Sequence, residues 1–145
     1  MITVKHISLP EELKQAFSIR ENVFVQEQQV PAEEEYDEFE DSSHHFLAFA
    51  GENPCGTARW RYTDKGIKLE RFAVLEEYRS RKVGSALVKT VINDIRKDGR
   101  SKGKMLYLHA QLTAMPLYSK FGFQPVGDMF EECNIKHYKM VLKSE

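Results

Sequence analysis

The chain reads as one α/β (α+β) domain, residues 1–145, in which helices flank a mixed, mostly antiparallel central sheet. Two passages predict that class. Between His45 and Leu75, three apolar or alternating runs are separated by the turn signals Gly51-Glu-Asn-Pro54 and Asp64-Lys-Gly66, which is the pattern of an antiparallel meander. From Ile67 to Ala110 a strand, a helix and a strand follow one another, a passage that normally forms a parallel pair by a right-handed crossover. At 145 residues, with no linker, repeat or low-complexity tract, one core that buries ~70% of the unfolded surface accommodates the whole chain.

The elements follow in order. Ile2, Val4 and His6 alternate with polar residues and predict a short first strand. Ser8 and Glu11 stand at capping-box spacing around Pro10, and Leu13, Ala16, Phe17, Arg20, Val23 and Phe24 continue at helical spacing. Pro31 sets the end of that helix around Gln28. Glu33 to Asp41 holds seven acidic residues in nine, a self-repelling run that predicts a solvated loop or weak helix. Strands are expected over His45–Ala50, Thr57–Tyr62 and Ile67–Leu75. Val83, Leu87, Val91 and Ile95, with Val88 and Ile92, form the apolar stripe of a helix that stops near Gly99. Met105–Ala110 is a strand, a short helix runs from Pro116 to Gly122, and Phe123–Val126 with His137–Leu142 close the sheet. Phe17, Phe24, Phe46 and Phe49 are read as core.

Composition excludes several classes. A net charge of −1 argues against a general nucleic-acid binder, so no nucleic-acid partner is expected. No apolar run approaches the ~18 residues a membrane helix needs, and the N-terminus lacks a signal-peptide core, so a cytoplasmic protein without a membrane partner is expected. Cys55 and Cys133 lack Cys-x-x-Cys spacing and are read as free thiols. No metal is expected. His44 and His45 point to opposite faces of one strand, and His6, His109 and His137 show no ligand spacing.

The chemistry concentrates where the apolar strand Lys68-Leu-Glu-Arg-Phe-Ala-Val-Leu75 runs into Tyr78-Arg-Ser-Arg-Lys-Val-Gly84 and then a helix. Unpaired N–H groups and the positive end of a helix dipole meet there, with Arg79, Arg81 and Lys82 around them. This is an anion cradle of pyrophosphate type. It is neither a Walker nor a Rossmann loop, because Gly-x-x-x-x-Gly-Lys-Ser/Thr and Gly-x-Gly-x-x-Gly are both absent.

At this loop, and again at Pro116-Leu-Tyr118-Ser-Lys-Phe-Gly-Phe123, the chain resembles the GNAT superfamily of acetyl-coenzyme A-dependent N-acetyltransferases. Ile19–Gln28, Asp37-Glu38, His45 and the tail near His137 look like its ElaA/YjcF-type branch. The resemblance implies a bulged strand at a cofactor cleft, with acetyl-CoA as co-substrate and no metal. Carried over residue by residue, backbone groups of Phe72, Ala73 and Val74 would bind the pantetheine. Arg79, Ser80, Arg81, Lys82, Val83 and Gly84 would bind the pyrophosphate. Tyr118 would be the general acid and Glu70 the base, while Glu27 and His45 would line the acceptor pocket. The family pattern is Arg/Gln-x-x-Gly-x-Gly/Ala. Counted from Arg79 it meets Lys82 in place of the first glycine; counted from Arg81 it fits through Gly84 and Ala86. The Arg79 frame is preferred, since Tyr78-Arg79 follows the strand at the usual distance.

Acetyl transfer to an amine needs a proton acceptor for the ammonium and a proton for the leaving thiolate. A phenol of pKa ~10 stays protonated at pH 7 and can donate to a thiolate of pKa ~8.5. Without the resemblance, Tyr118 reads as a buried aromatic with a satisfied hydroxyl, and Glu70 as a charge partner of Arg59 or Arg71. The acidic run likewise has two readings, a solvated surface and a field that draws in a cationic acceptor. The expected activity is transfer of an acetyl group from acetyl-CoA to a primary amine on a small molecule or protein. The alternative is a coenzyme A-binding sensor or interaction module with little transferase activity, toward which Lys82 leans. Monomer and homodimer both remain open, since an exposed final strand can pair or stay solvated.

Overall fold

A computed structural model describes residues 1–143. Seven strands form one sheet in the order β1-β2-β3-β4-β5-β7-β6. They are β1 (Ile2–His6), β2 (His44–Ala50), β3 (Asn53–Thr63), β4 (Gly66–Val74), β5 (Met105–Gln111), β6 (Gln124–Glu132) and β7 (Ile135–Lys143). Every neighbouring pair is antiparallel except β4 and β5, the parallel pair expected from the crossover.

Helices cover both faces: α1 (Pro10–Arg20), the short α2 (Ala32–Glu35), α3 (Val83–Lys97) and α4 (Met115–Ser119). The α3 stripe (Val83, Leu87, Val88, Val91, Ile92, Ile95) is buried as its periodicity predicts, against Phe46, Ala58, Trp60 and Leu69 of the sheet. Each such side chain contributes about 1.5–3 kcal/mol by leaving water. Ala16, Ile19, Val23 and Phe24 pack on the opposite face against Leu47 and Ala73. With both faces covered, His45–Ala50 reads as a continuous apolar run rather than an alternation.

Three local readings shift. The cap of α1 is one residue later than the Ser8–Glu11 spacing suggests: Glu12 accepts the N–H groups of Ser8 and Leu9, each at 3.1 Å. Beyond Arg20 the helix widens into a π-helical turn, Glu21–Glu27, closed by Gln28 N–H to the Val23 carbonyl at 3.0 Å. The extra residue per turn lets the adjacent Val23 and Phe24 both enter the core. The last hairpin is longer than predicted, because β6 bulges between Val126 and Phe130 with Gly127 at φ 74°.

The acidic run is a solvated surface only in part: Glu33, Glu34, Glu38 and Asp41 are exposed, while Glu35, Asp37 and Glu40 turn inward. Arg20 Nε donates to Glu35 at 2.7 Å and its Nη atoms to Glu40 at 2.8 and 2.9 Å, while Arg59 donates to Asp37 at 2.6 and 3.0 Å. Both guanidinium groups are fully buried, and Glu35, Asp37 and Glu40, with Glu70 of β4, are the charges that permit it. Cys55 is buried, Cys133 is exposed, and neither is bridged. No helix among the described residues is long and apolar enough to cross a membrane.

Candidate active site

The cleft follows from one strand irregularity. The β3–β4 register steps from Thr57↔Ala73 to Arg59↔Glu70, so β4 carries one residue more than its partner. Arg71 takes up that residue at φ 59°. On its other edge β4 pairs with β5 only at Ile67↔Leu106 and Lys68↔Tyr107, among the described residues. Beyond Lys68 the two strands part. The opening is a cleft of about 790 Å³ lined by Phe72, Ala73 and Val74 on one side and by Leu108, His109 and Gln111 on the other.

At the end of β4 the chain turns through Arg79–Lys82 into α3. Lys82 is the residue before the helix, at φ 64° and ψ 24°, and its side chain makes no cap. The backbone therefore takes a left-handed, glycine-like conformation at Lys82. The first backbone bond of α3 runs from Ala86 N–H to the Lys82 carbonyl, which leaves the N–H groups of Val83, Gly84 and Ser85 free at the positive end of the dipole. Gly84 lies against Leu117, where an added Cβ would come within 3.1 Å of that side chain. At Gly56, below the same helix start, a Cβ would meet Val83 at 2.9 Å. These two glycines seat the helix close to the sheet and to α4. Arg79, Ser80, Lys82, Val83 and Gly84 line the cleft, whereas Arg81 turns away onto the Tyr78 ring, 5.3 Å from its centroid.

Arg79 is held from two sides. Its Nε donates to the Val74 carbonyl at 3.0 Å, and its two Nη atoms donate to both oxygens of Glu27 at 2.7 and 2.8 Å. Glu27 thus lines the cleft as the partner of Arg79, and that guanidinium lowers its pKa. His45 does not reach the cleft. It is buried beside Phe17, and its Nε2 bonds the Glu40 carbonyl at 2.8 Å, so it fastens the acidic loop.

Glu70 takes the charge-partner role. Its Oε2 accepts from Arg59 Nε at 2.8 Å and Arg61 Nε at 2.7 Å, with Lys68 Nζ 3.4 Å and Arg71 Nη1 3.7 Å from Oε1. Burial alone would raise its pKa, but Arg59, Lys68, Arg61 and Arg71 together bring it down to about 2. A carboxylate so stabilised is a poor proton acceptor.

Tyr118 is 7% exposed and lines the cleft, its ring meeting Phe72 edge to face. Among the described residues its hydroxyl bonds no protein group, and it is not closed off from the cleft. Burial pushes its pKa well above the usual tyrosine value. It therefore holds its proton across the neutral range.

A second titratable group lines the cleft where sequence spacing indicated none. His109 Nδ1 lies 2.9 Å from Glu132 Oε2, and His137 Nε2 lies 3.8 Å from Glu132 Oε1. His137 Nδ1 donates to the Ile135 carbonyl at 2.7 Å, which fixes the proton there and leaves Nε2 as the basic nitrogen. The available signal was strand alternation. His109 falls on the face of β5 opposite the buried Leu106 and Leu108.

A parallel pair that splays at a bulge leads directly into an uncapped helix start. The acetyltransferase (GNAT) domain family matches residues 9–144, and the chain belongs to that family, whose chemistry is acyl transfer. It is 43% identical over 132 residues to the uncharacterized N-acetyltransferase YjcF of Bacillus subtilis (strain 168), covering 90% of this chain and 92% of that one. It is 29% identical to the protein ElaA of Escherichia coli (strain K12), over 89% of this chain and 86% of that one. The crystal structure of E. coli ElaA superposes with a TM-score of 0.81 at 25% identity, covering 97% and 99% of the two chains. An acyl-CoA N-acyltransferase from Pseudomonas aeruginosa shares the fold, with a TM-score of 0.78 at 22% identity over 97% of each chain.

Proposed function

We propose that this chain transfers an acetyl group from acetyl-CoA to a primary amine by direct attack on the thioester. The observation that carries the reading is Tyr118: a protonated hydroxyl on a largely buried ring, open to the cleft beside the bulged strand. Phe72, Ala73 and Val74 offer backbone groups on the edge from which β5 has parted, which suits an amide-bearing pantetheine arm. The free N–H groups of Val83, Gly84 and Ser85, with Arg79 and Lys82, suit a pyrophosphate. Acetyl-CoA supplies the activated acyl group. Tyr118 donates its proton to the departing sulfur.

The proton of the incoming ammonium goes to the His109–Glu132–His137 group rather than to Glu70. Two imidazoles share one carboxylate there, and His137 presents Nε2 as a lone pair. Glu34 and Glu132 on the cleft wall favour a cationic acceptor as it approaches. The test is thiol release from acetyl-CoA over a panel of primary amines. Amine-dependent release supports the transferase. Tight coenzyme A binding with background release supports the sensor reading, which the non-glycine Lys82 favours.

A further inference from the structure

On the sheet face covered by α3, away from the cleft, three potential ligands converge from three separate elements. His6 is on β1, His44 on β2 and Asp94 on α3, and one ligand atom from each lies within 4.8 Å of the others. We propose that His6 Nε2, His44 Nδ1 and a carboxylate oxygen of Asp94 form a site for a borderline divalent transition ion, with Zn²⁺ as the reference case and water completing the shell. This goes beyond acyl transfer, and it reverses the expectation that the chain carries no metal site.

The geometry is already close to that of a ligand pair. His6 Nε2 and His44 Nδ1 are 3.2 Å apart. Two nitrogens at that separation, each ~2.05 Å from one ion, subtend about 103° at it, between octahedral and tetrahedral values. Two neutral imidazoles so placed satisfy each other with only one proton between them. An ion uses both lone pairs. Imidazole with carboxylate is the donor set that suits zinc, nickel and copper.

The ligands are also oriented from behind. Trp60, 0% exposed, donates its indole N–H to Asp94 Oδ2 at 2.9 Å, leaving Oδ1 for an ion. The same indole stacks on the His44 ring, with centroids 4.2 Å apart and an angle of 8°. His6 rests edge-on against Phe46 at 5.0 Å. One buried side chain thus sets both a carboxylate and an imidazole, the supporting arrangement that metal sites use. Sequence spacing hides the group because its members are joined by strand pairing and helix packing, not by a local motif. None of the three lines the catalytic cleft.

The test uses the fact that Trp60 is the chain's one tryptophan and is in contact with the site. The full-length, tag-free protein is titrated with NiCl₂ while tryptophan emission is followed. The proposal predicts saturable quenching with one ion per chain, reversed by EDTA and by competing ZnCl₂. His6→Ala, at an exposed position, weakens the apparent affinity at least ~10-fold, and Asp94→Asn, which keeps an acceptor for the indole, weakens it similarly. Quenching that never saturates, or that saturates unchanged in both variants with their melting temperatures intact, overturns it.

Discussion

Phe72 and Tyr118 meet edge to face with ring centroids 5.6 Å apart, which ties the bulged strand β4 to the short helix α4 across the cleft. Tyr118→Phe keeps that ring contact and removes only the hydroxyl. Turnover therefore falls by at least ~10-fold while coenzyme A affinity, measured by calorimetry, stays within about twofold of wild type. An unchanged turnover number at saturating substrate would take Tyr118 out of the mechanism.

Glu27 clasps Arg79 at the mouth of the loop. An anionic cofactor must compete with that carboxylate for the guanidinium. Glu27→Gln frees Arg79 and removes a negative charge, so coenzyme A binds a few-fold more tightly at low salt, and the gain shrinks as salt screens it. Weaker binding in this variant would mean that Glu27 instead poses Arg79 for the phosphates.

Glu70 sits among Arg59, Arg61, Lys68 and Arg71, with its folded pKa at about 2. Because that value is depressed, the pairing stabilises the fold above the unfolded carboxylate pKa of ~4.3, and the contribution is lost as pH falls from there toward 2. Glu70→Gln removes one of the three carboxylates facing Arg59, with Asp37 and Glu40 still paired to it, and lowers stability at pH 7 by about 1.5–3 kcal/mol in urea titrations. The pH dependence of kcat/KM keeps its shape. If that profile loses a limb in Glu70→Gln and keeps it in His109→Ala and His137→Ala, Glu70 is the base after all.

Lys82 holds a left-handed conformation at φ 64° before α3. That geometry costs a residue with a Cβ about 1–2 kcal/mol, of which glycine's greater unfolded freedom takes back about 0.5–1. Lys82→Gly therefore raises Tm by about 2–4 °C. A drop in Tm would show that the lysine side chain stabilises the loop by more than its backbone strain.

Much of this was readable before the structure because it is local. The α3 stripe, the strand-to-loop passage at Val74–Gly84 and the short helix at Met115–Ser119 each carry their signal within about a dozen residues. The charged groups beside the cleft are assembled from distant segments. Glu70 meets Arg59 across a strand pair, Asp37 and Glu40 reach the same guanidinium from the acidic loop, and Glu132 comes to His109 through the last hairpin. A carboxylate's partner decides whether it is a base or a counter-ion, and no spacing in the chain reports that partner. His45 shows the same limit: the likeness to the branch put it in the pocket, and the Glu40 carbonyl holds it outside.

Amine-dependent thiol release from acetyl-CoA by the wild-type protein, followed at saturating cofactor over a panel of primary amines, tests the central claim most directly. The account predicts release that rises with amine concentration to a plateau, with mono- and polycationic amines ahead of neutral ones. Release that stays at the rate of acetyl-CoA alone for every amine, from a protein that binds coenzyme A, would contradict it.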